Sequence, residues 1–145
     1  MRNVARRMRR HLIAAAVCLL TGTGLAAAQD KAITATDAWV KLPEAGAKAT
    51  DAYATVNNPG MYAIYLVSGT SDIAGKIEFR DASKGDAPQD DVTVINYEST
   101  YMTPKGVYMH LSDLKRELKE GETVYITLKT ELGLPVEIEA KVKKP

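Results

Sequence analysis

Short runs of apolar and β-branched residues, separated by turn residues, fill the chain from Ile33 onward. No window keeps the apolar spacing of an amphipathic helix, so the pattern predicts an all-β domain. Val124, Ile126 and Leu128 alternate with polar residues, which places them on the core face of a strand. We predict eight strands, at residues 33–42, 50–57, 61–68, 76–82, 92–97, 107–111, 123–130 and 136–142. Such a chain suits one Greek-key sandwich or barrel, with a short helical turn at residues 114–118.

The first 28 residues have the composition of a secretory signal peptide. Five arginines and no acidic residue precede an apolar core from Leu12 to Leu20, and Ala26 and Ala28 then supply a cleavage site of small residues. We expect export to the periplasm by the general secretory route. Residues 1–28 would be removed, and residues 29–145 would form the β-barrel domain. Cys18 lies inside the apolar core and would leave with the signal peptide.

Removal of this segment changes the charge that remains. The chain has 19 Lys and Arg against 18 Asp and Glu, but 5 arginines lie in residues 1–28, so residues 29–145 carry a net charge of −4. This balance does not predict nucleic-acid binding. Residues 29–145 contain no cysteine and one histidine, His110, which excludes disulfides and thiolate metal sites. The longest apolar run is interrupted at residues 21–24 and is too short to span a bilayer. We therefore predict that the protein is not an integral membrane protein.

Several short segments come in a recognisable order between residues 33 and 142. They are Thr36–Val40, Ala52–Gly60, Leu66–Ser71, Ala74–Glu78, Pro104–Gly106 and Leu114–Glu122. Together they resemble the periplasmic copper chaperones of the PCu(A)C family. The resemblance implies a cupredoxin-like barrel that takes Cu(I) at an exposed site and delivers it toward a respiratory oxidase, with an oxidase subunit or assembly factor as acceptor. It also implies copper held between histidines and methionines, donors that favour Cu(I) over hard cations.

The positions that the resemblance assigns to the copper ligands carry other residues in this chain. Arg80 stands where the first histidine is expected, and Asp90 and Asp91 where a methionine is expected. Tyr108 and His110 stand where the closing His-x-Met is expected. A guanidinium is permanently cationic and a carboxylate is a hard ligand, so an unaltered family site is not expected. The implied copper site is therefore degenerate.

His110 and Met102 are the metal ligands that we predict for a copper site with only two or three ligands. His110 alternates with Met109 and Leu111, so it projects to the side of its strand that carries the family's ligands. Met102 stands at a loop entry, where an exposed thioether would be usable. The alternatives are a lone surface histidine and a methionine that fills a gap at the barrel rim. Met61 and Met109 are expected in the core.

A periplasmic binding module without a metal is the second hypothesis. Tyr97, Tyr101 and Tyr108 recur at short spacing, and tyrosines on the exposed faces of neighbouring strands would form a recognition face for an anionic ligand or a partner protein, with Arg80. Ordinary strand composition is the alternative explanation. The sequence contains no Gly-x-Ser-x-Gly nucleophile elbow, no Walker motif and no glycine motif for dinucleotide binding. We therefore predict that the protein is not an enzyme. Oligomeric state and membrane association stay open.

Overall fold

The computed structural model describes residues 32–145, which contain ten strands. The predicted signal peptide lies outside the described residues. The strands are β1 (Thr34–Lys41), β2 (Ala49–Asn58), β3 (Ile64–Ser71), β4 (Ala74–Asp81), β5 (Ala87–Gln89), β6 (Val92–Val94), β7 (Glu98–Tyr101), β8 (Val107–Leu114), β9 (Thr123–Thr130) and β10 (Pro135–Lys143). A single 3-10 turn, Ala82–Lys84, follows β4 within this part of the chain.

All ten strands belong to one sheet that rolls into a nearly closed barrel. Their order is β5-β4-β8-β2-β1-β10-β9-β3-β6, with β7 paired to β2. β1 and β10 are parallel, and the other pairings in residues 32–145 are antiparallel. This architecture confirms the predicted all-β barrel. It has two strands more than predicted because β5 and β7, with 3 and 4 residues, are too short to give an alternating pattern.

The core lies inside the barrel and is built from alternate residues of the long strands. Val124, Ile126 and Leu128 of β9 are fully buried, as the alternation predicts. Burial of each large apolar side chain contributes about 1.5–3 kcal/mol. The core residues come from the span between Ile33 and Val142. We therefore expect residues 29–145 to fold without the preceding segment.

A β-bulge in β1 decides which side chains reach the outer surface near the centre of the sheet. Thr36 pairs with Thr55 and Trp39 with Tyr53, so two residues of β1 oppose one residue of β2. Asp37 occupies the left-handed region at φ 51°, which Asp tolerates better than most side chains do. The bulge shifts the alternation by one residue. As a result Val40 enters the core and Trp39 lies against Tyr53 on the outside.

Two local predictions are wrong. Met61 lies in the loop between β2 and β3 with 61% of its surface exposed, because β3 begins only at Ile64. Residues 114–118 form no helical turn, since tertiary hydrogen bonds occupy the backbone there. Leu114 N donates to Lys48 O (3.1 Å), and Lys115 N donates to Ile73 O (2.9 Å).

Candidate functional site

The strands β4, β8 and β2 lie side by side and bring the residues of interest onto one outer surface. Arg80 pairs with Tyr108, and His110 lies between Glu78 on one side and Asp51 on the other. Met109 and Leu111 alternate with them and are fully buried. His110 therefore points outward, away from Met109 and Leu111, as its alternation with them predicts. Three of the positions that the resemblance assigns to ligands, Arg80, Tyr108 and His110, share this surface, which we call the β8 face.

His110 is held by a carboxylate. Its Nδ1 lies 2.8 Å from Asp51 Oδ1, and 23% of the His110 side chain remains exposed. A carboxylate at Nδ1 favours the tautomer that carries the proton there, which leaves the lone pair on Nε2. Histidines that bind metals in proteins almost always have this partner arrangement. Nε2 is thus an oriented nitrogen donor.

A groove opens beside this histidine. It has a volume of about 260 Å³, and its lining includes Leu42, Pro43, Thr50, Asp51 and His110. The surface of the groove is partly polar and open to solvent, so water or a small ligand can approach the imidazole edge. Within residues 32–145, no group of three or more His, Cys, Asp or Glu side chains is arranged to hold a metal ion. Any metal at His110 would therefore need donors from other sources.

Arg80 belongs to an ion network rather than to a ligand set. Its Nη2 lies 3.1 Å from Glu78 Oε2, and Lys76 Nζ lies 2.6 Å from Glu78 Oε1. The hydrogen bonds from Lys76 and Arg80 lower the pKa of the Glu78 carboxyl. Arg80 Nε is buried and has no hydrogen-bond partner in the described part of the chain. The charge of Glu78 is thus already balanced, which makes it a poor ligand for a further cation.

Three aromatic rings form a row next to these charges. The Trp39 and Tyr53 rings lie 4.4 Å apart between centroids, and Tyr53 and Tyr108 lie 6.2 Å apart. Tyr53 and Tyr108 are buried although they lie on the outer side of the sheet, because neighbouring side chains cover them. Tyr97 and Tyr101 are exposed, whereas Tyr108 is not. The tyrosines therefore do not form one continuous exposed face.

The Tyr108 phenol provides a pH-dependent test of this arrangement. Burial raises its pKa to about 12, helped by a 2.9 Å hydrogen bond that its hydroxyl donates to Asp86 Oδ1. A folded-state pKa above the unfolded value of 10.0 means that the stabilisation is present below pH 10 and is lost as the pH rises toward 12. We expect the Tyr108→Phe variant to lose less stability between pH 10 and 12 than the parent chain, measured as urea midpoints. Tyr125→Phe, at an exposed position, is the control, and equal slopes in all three proteins would contradict the prediction.

Met102 lies apart from His110. Its side chain is 3% exposed and belongs to the core cluster, while its backbone N donates to Ala54 O at 2.8 Å. Met109 also points into the core, on the opposite side of β8 from His110. The structure therefore does not bring a methionine to the β8 face beside the histidine. The predicted ligand roles of His110 and Met102 stay predictions.

Two residues of the site were missed by sequence reasoning. Asp51 lies on β2, 59 residues before His110 in the sequence, and orients its imidazole. Asp86 lies in the loop after the 3-10 turn and accepts a hydrogen bond from the Tyr108 hydroxyl. Both carboxylates stand in unremarkable sequence contexts. Only the register between β2 and β8 reveals the first contact, and no local motif signals that register.

A family model described as "Putative lipoprotein LpqE-like" matches residues 33–142. The chain belongs to the LpqE-like family. Its fold is also that of the PCuAC domains, which confirms the predicted resemblance and the cupredoxin-like class. The copper-bound PCuAC domain from PmoF2 has a TM-score of 0.68 and 23% identity, with 77% of this chain and 92% of that chain covered.

Two further solved structures have the same fold. The apo PCuAC domain from PmoF1 has a TM-score of 0.68 and 27% identity, covering 74% of this chain and 90% of that one. The Cu(I) form of DR1885 from Deinococcus radiodurans has a TM-score of 0.67 and 30% identity, covering 82% and 83%. No curated protein sequence matches the chain. Within residues 32–145, no helix has the length and apolarity needed to cross a bilayer.

Proposed function

We propose that this LpqE-like protein is a copper carrier outside the cytoplasm, with a degenerate site at His110. The observation that carries the proposal is the position of the His110 imidazole on the β8 face, where Nδ1 lies 2.8 Å from Asp51 Oδ1. This contact leaves the lone pair of Nε2 to bind a metal ion. Two of the solved relatives are copper-bound PCuAC and Cu(I)-DR1885, which supports copper as the cargo. Imidazole suits copper in either oxidation state.

A site with one protein donor is expected to hold copper less tightly than a site with a full set of histidine and methionine donors. Arg80 and Tyr108, at positions that the resemblance assigns to ligands, are engaged with Glu78 and Asp86. Met102 would have to leave the core to reach the metal, which we expect to be unfavourable. The remaining donors would come from water, from a second copy or from the acceptor. We propose an acceptor in respiratory oxidase assembly, which would complete the coordination and take the metal.

We propose a role as a carrier rather than as an enzyme. The hydrogen bond described for the His110 imidazole within residues 32–145 is to the Asp51 carboxylate and not to a hydroxyl that could act as a nucleophile. We propose export by the predicted signal peptide, residues 1–28. The family description as a lipoprotein supports a location outside the cytoplasm.

A copper titration tests the proposal. Residues 29–145 are titrated with Cu(I) in the presence of a competing chelator, beside the His110→Ala variant. We expect one copper per chain in the parent protein and loss of this binding in the variant. Absence of binding at micromolar copper would contradict the proposal.

A non-metal binding module on the same barrel is the second candidate. The guanidinium of Arg80 favours it, because its side chain is 32% exposed and lies beside the aromatic row, where it offers a cation to an anionic ligand. Trp39 is the only tryptophan of the chain and stacks on Tyr53, so its fluorescence reports on ligands at this row. A fluorescence change on adding inorganic phosphate, lost in Arg80→Ala, would support this candidate over copper.

A further inference from the structure

The groove beside His110 contains a lysine that forms no ion pair with the described residues. Lys41 is the last residue of β1 and lines the groove together with His110. Its ammonium pairs with no carboxylate of residues 32–145. A cation at this position repels a copper ion on the imidazole, because like charges repel at short distance. An anion between the lysine and the metal would remove this repulsion.

Strand pairing places Lys41 beside the histidine. Val40 pairs with Ala52, so the antiparallel register brings Lys41 next to Asp51 on β2. Asp51 pairs in turn with His110 on β8. Neighbouring strands are about 4.8 Å apart, so the backbones of Lys41 and His110 are separated by about 10 Å. Val40 is fully buried, and Lys41 therefore projects from the outer side of the barrel, as His110 does.

The carboxylates that line the groove do not supply the missing anion. Asp51 Oδ1 lies 2.8 Å from His110 Nδ1 and is engaged there. Glu44 lies in the loop between β1 and β2, and it does not join Asp51 and His110 in a metal-holding group within residues 32–145. Met102 and Met109 are buried and bring no thioether to the imidazole. An anionic donor at this site therefore has to come from outside residues 32–145.

We propose that the groove binds a free α-amino acid, which holds Cu(II) together with His110 Nε2. This inference rests on His110 as the copper donor of the proposed function. The amino nitrogen and a carboxylate oxygen of the amino acid chelate the metal. With the imidazole they make up a set of nitrogen and oxygen donors, which suits Cu(II). The carboxylate also pairs with Lys41 and offsets the repulsion between the ammonium and the metal ion.

The size and lining of the groove fit such a ligand. Its volume of about 260 Å³ is below the 300–1,000 Å³, roughly, of sites for drug-sized ligands. Leu42 and Pro43 give it apolar wall that can contact the aliphatic part of an amino acid. An imidazole or thioether from a partner protein brings no negative charge to Lys41. The lysine therefore favours a donor that carries a carboxylate over a neutral side chain of a partner.

Equilibrium dialysis with labelled glycine tests the proposal. Residues 29–145 are dialysed against radiolabelled glycine with and without equimolar Cu(II), and the glycine and copper retained by the protein are measured. We expect one glycine per bound copper and no retention of glycine in the absence of copper. N-acetylglycine keeps the carboxylate but lacks the free amine, so it should not be retained. Quenching of the fluorescence of Trp39, the only tryptophan, reports copper binding independently.

Three variants separate the parts of the site. Lys41→Ala should weaken the retention of glycine by about fivefold, which is the upper end for an exposed ion pair. Lys129→Ala, at an exposed position on β9, is the matched control and should retain glycine like the parent chain. His110→Ala should lose both copper and glycine. Far-UV circular dichroism checks that the three variants fold.

The possible failures of this proposal and of the proposed function are distinguishable. Copper retained by the parent chain without glycine would overturn the amino acid and leave the copper carrier intact. Absence of copper binding with and without glycine would overturn both. Equal retention of glycine in Lys41→Ala and Lys129→Ala would overturn the role of the lysine. Loss of copper binding in Glu44→Gln without glycine, or a dimer formed on adding copper alone, would assign the missing donors to Glu44 or to a second copy instead.

Discussion

Replacing Met109 by alanine should lower the free energy of unfolding by about 3 kcal/mol, because it leaves a cavity at the centre of the barrel. Met109 is fully buried on β8, between the outward residues Tyr108 and His110, and pairs with Ala52 and Phe79 on the two neighbouring strands. A cavity there also loosens the strand that carries the histidine. Urea denaturation at neutral pH measures the change.

Met61→Ala is the matched control for this stability measurement. Met61 is exposed in the loop between β2 and β3, so the same substitution should change the free energy of unfolding by less than about 0.5 kcal/mol. Equal effects at the two methionines would mean that the burial assigned to Met109 is wrong. A negligible effect at Met109 would contradict the packing of β8 described above.

The second large effect is expected in copper affinity. Removing the imidazole in His110→Ala should weaken Cu(I) binding by more than about 100-fold, since loss of a hydrogen-bonding partner to a ligand alone costs about 10- to 100-fold. Asp51→Ala should weaken Cu(I) binding by about 10- to 100-fold. Asp51→Asn should recover part of that loss, because its amide oxygen can still accept a hydrogen bond from Nδ1–H. A competing chelator with a Cu(I)-dependent absorbance measures all three variants.

Met102→Leu distinguishes a ligand from a core residue. Met102 is buried, and leucine has nearly the same volume, so the variant should fold and bind copper like the parent chain. A loss comparable to that of His110→Ala would mean that Met102 leaves the core and takes the ligand role that was predicted from an exposed position at a loop entry. Unchanged binding in His110→Ala would contradict the site altogether.

Much of the barrel could be predicted from local pattern because its long strands alternate cleanly. On β10, Val136, Ile138 and Ala140 face the barrel core, as the sequence indicates. Met109 and Leu111 do the same in β8, which fixes the outward direction of His110. In these strands one face is buried and the other is exposed to solvent. The alternation of apolar and polar residues along the sequence therefore predicts which side chains enter the core.

The remaining features depend on contacts that no local pattern encodes. The bulge at Asp37 shifts the alternation of β1, so the outward position of Trp39 follows only from its pairing with Tyr53. The pairing of Asp51 with His110 depends on strand register across 59 residues. The exposure of Met61 depends on the loop fixed by Asn58, and a methionine after a Pro-Gly turn has no local signal that separates core from surface.

Imidazole nitrogen NMR tests the central claim most directly, because residues 29–145 contain His110 as their only histidine. In the metal-free chain we expect a proton on Nδ1 that is hydrogen-bonded to Asp51 Oδ1, at a distance of 2.8 Å between the two heavy atoms. On addition of Cu(I), the Nε2 resonance should move strongly while the Nδ1 proton stays in place. An unchanged Nε2 resonance at stoichiometric copper, or loss of the Nδ1 proton, would contradict the proposed copper site.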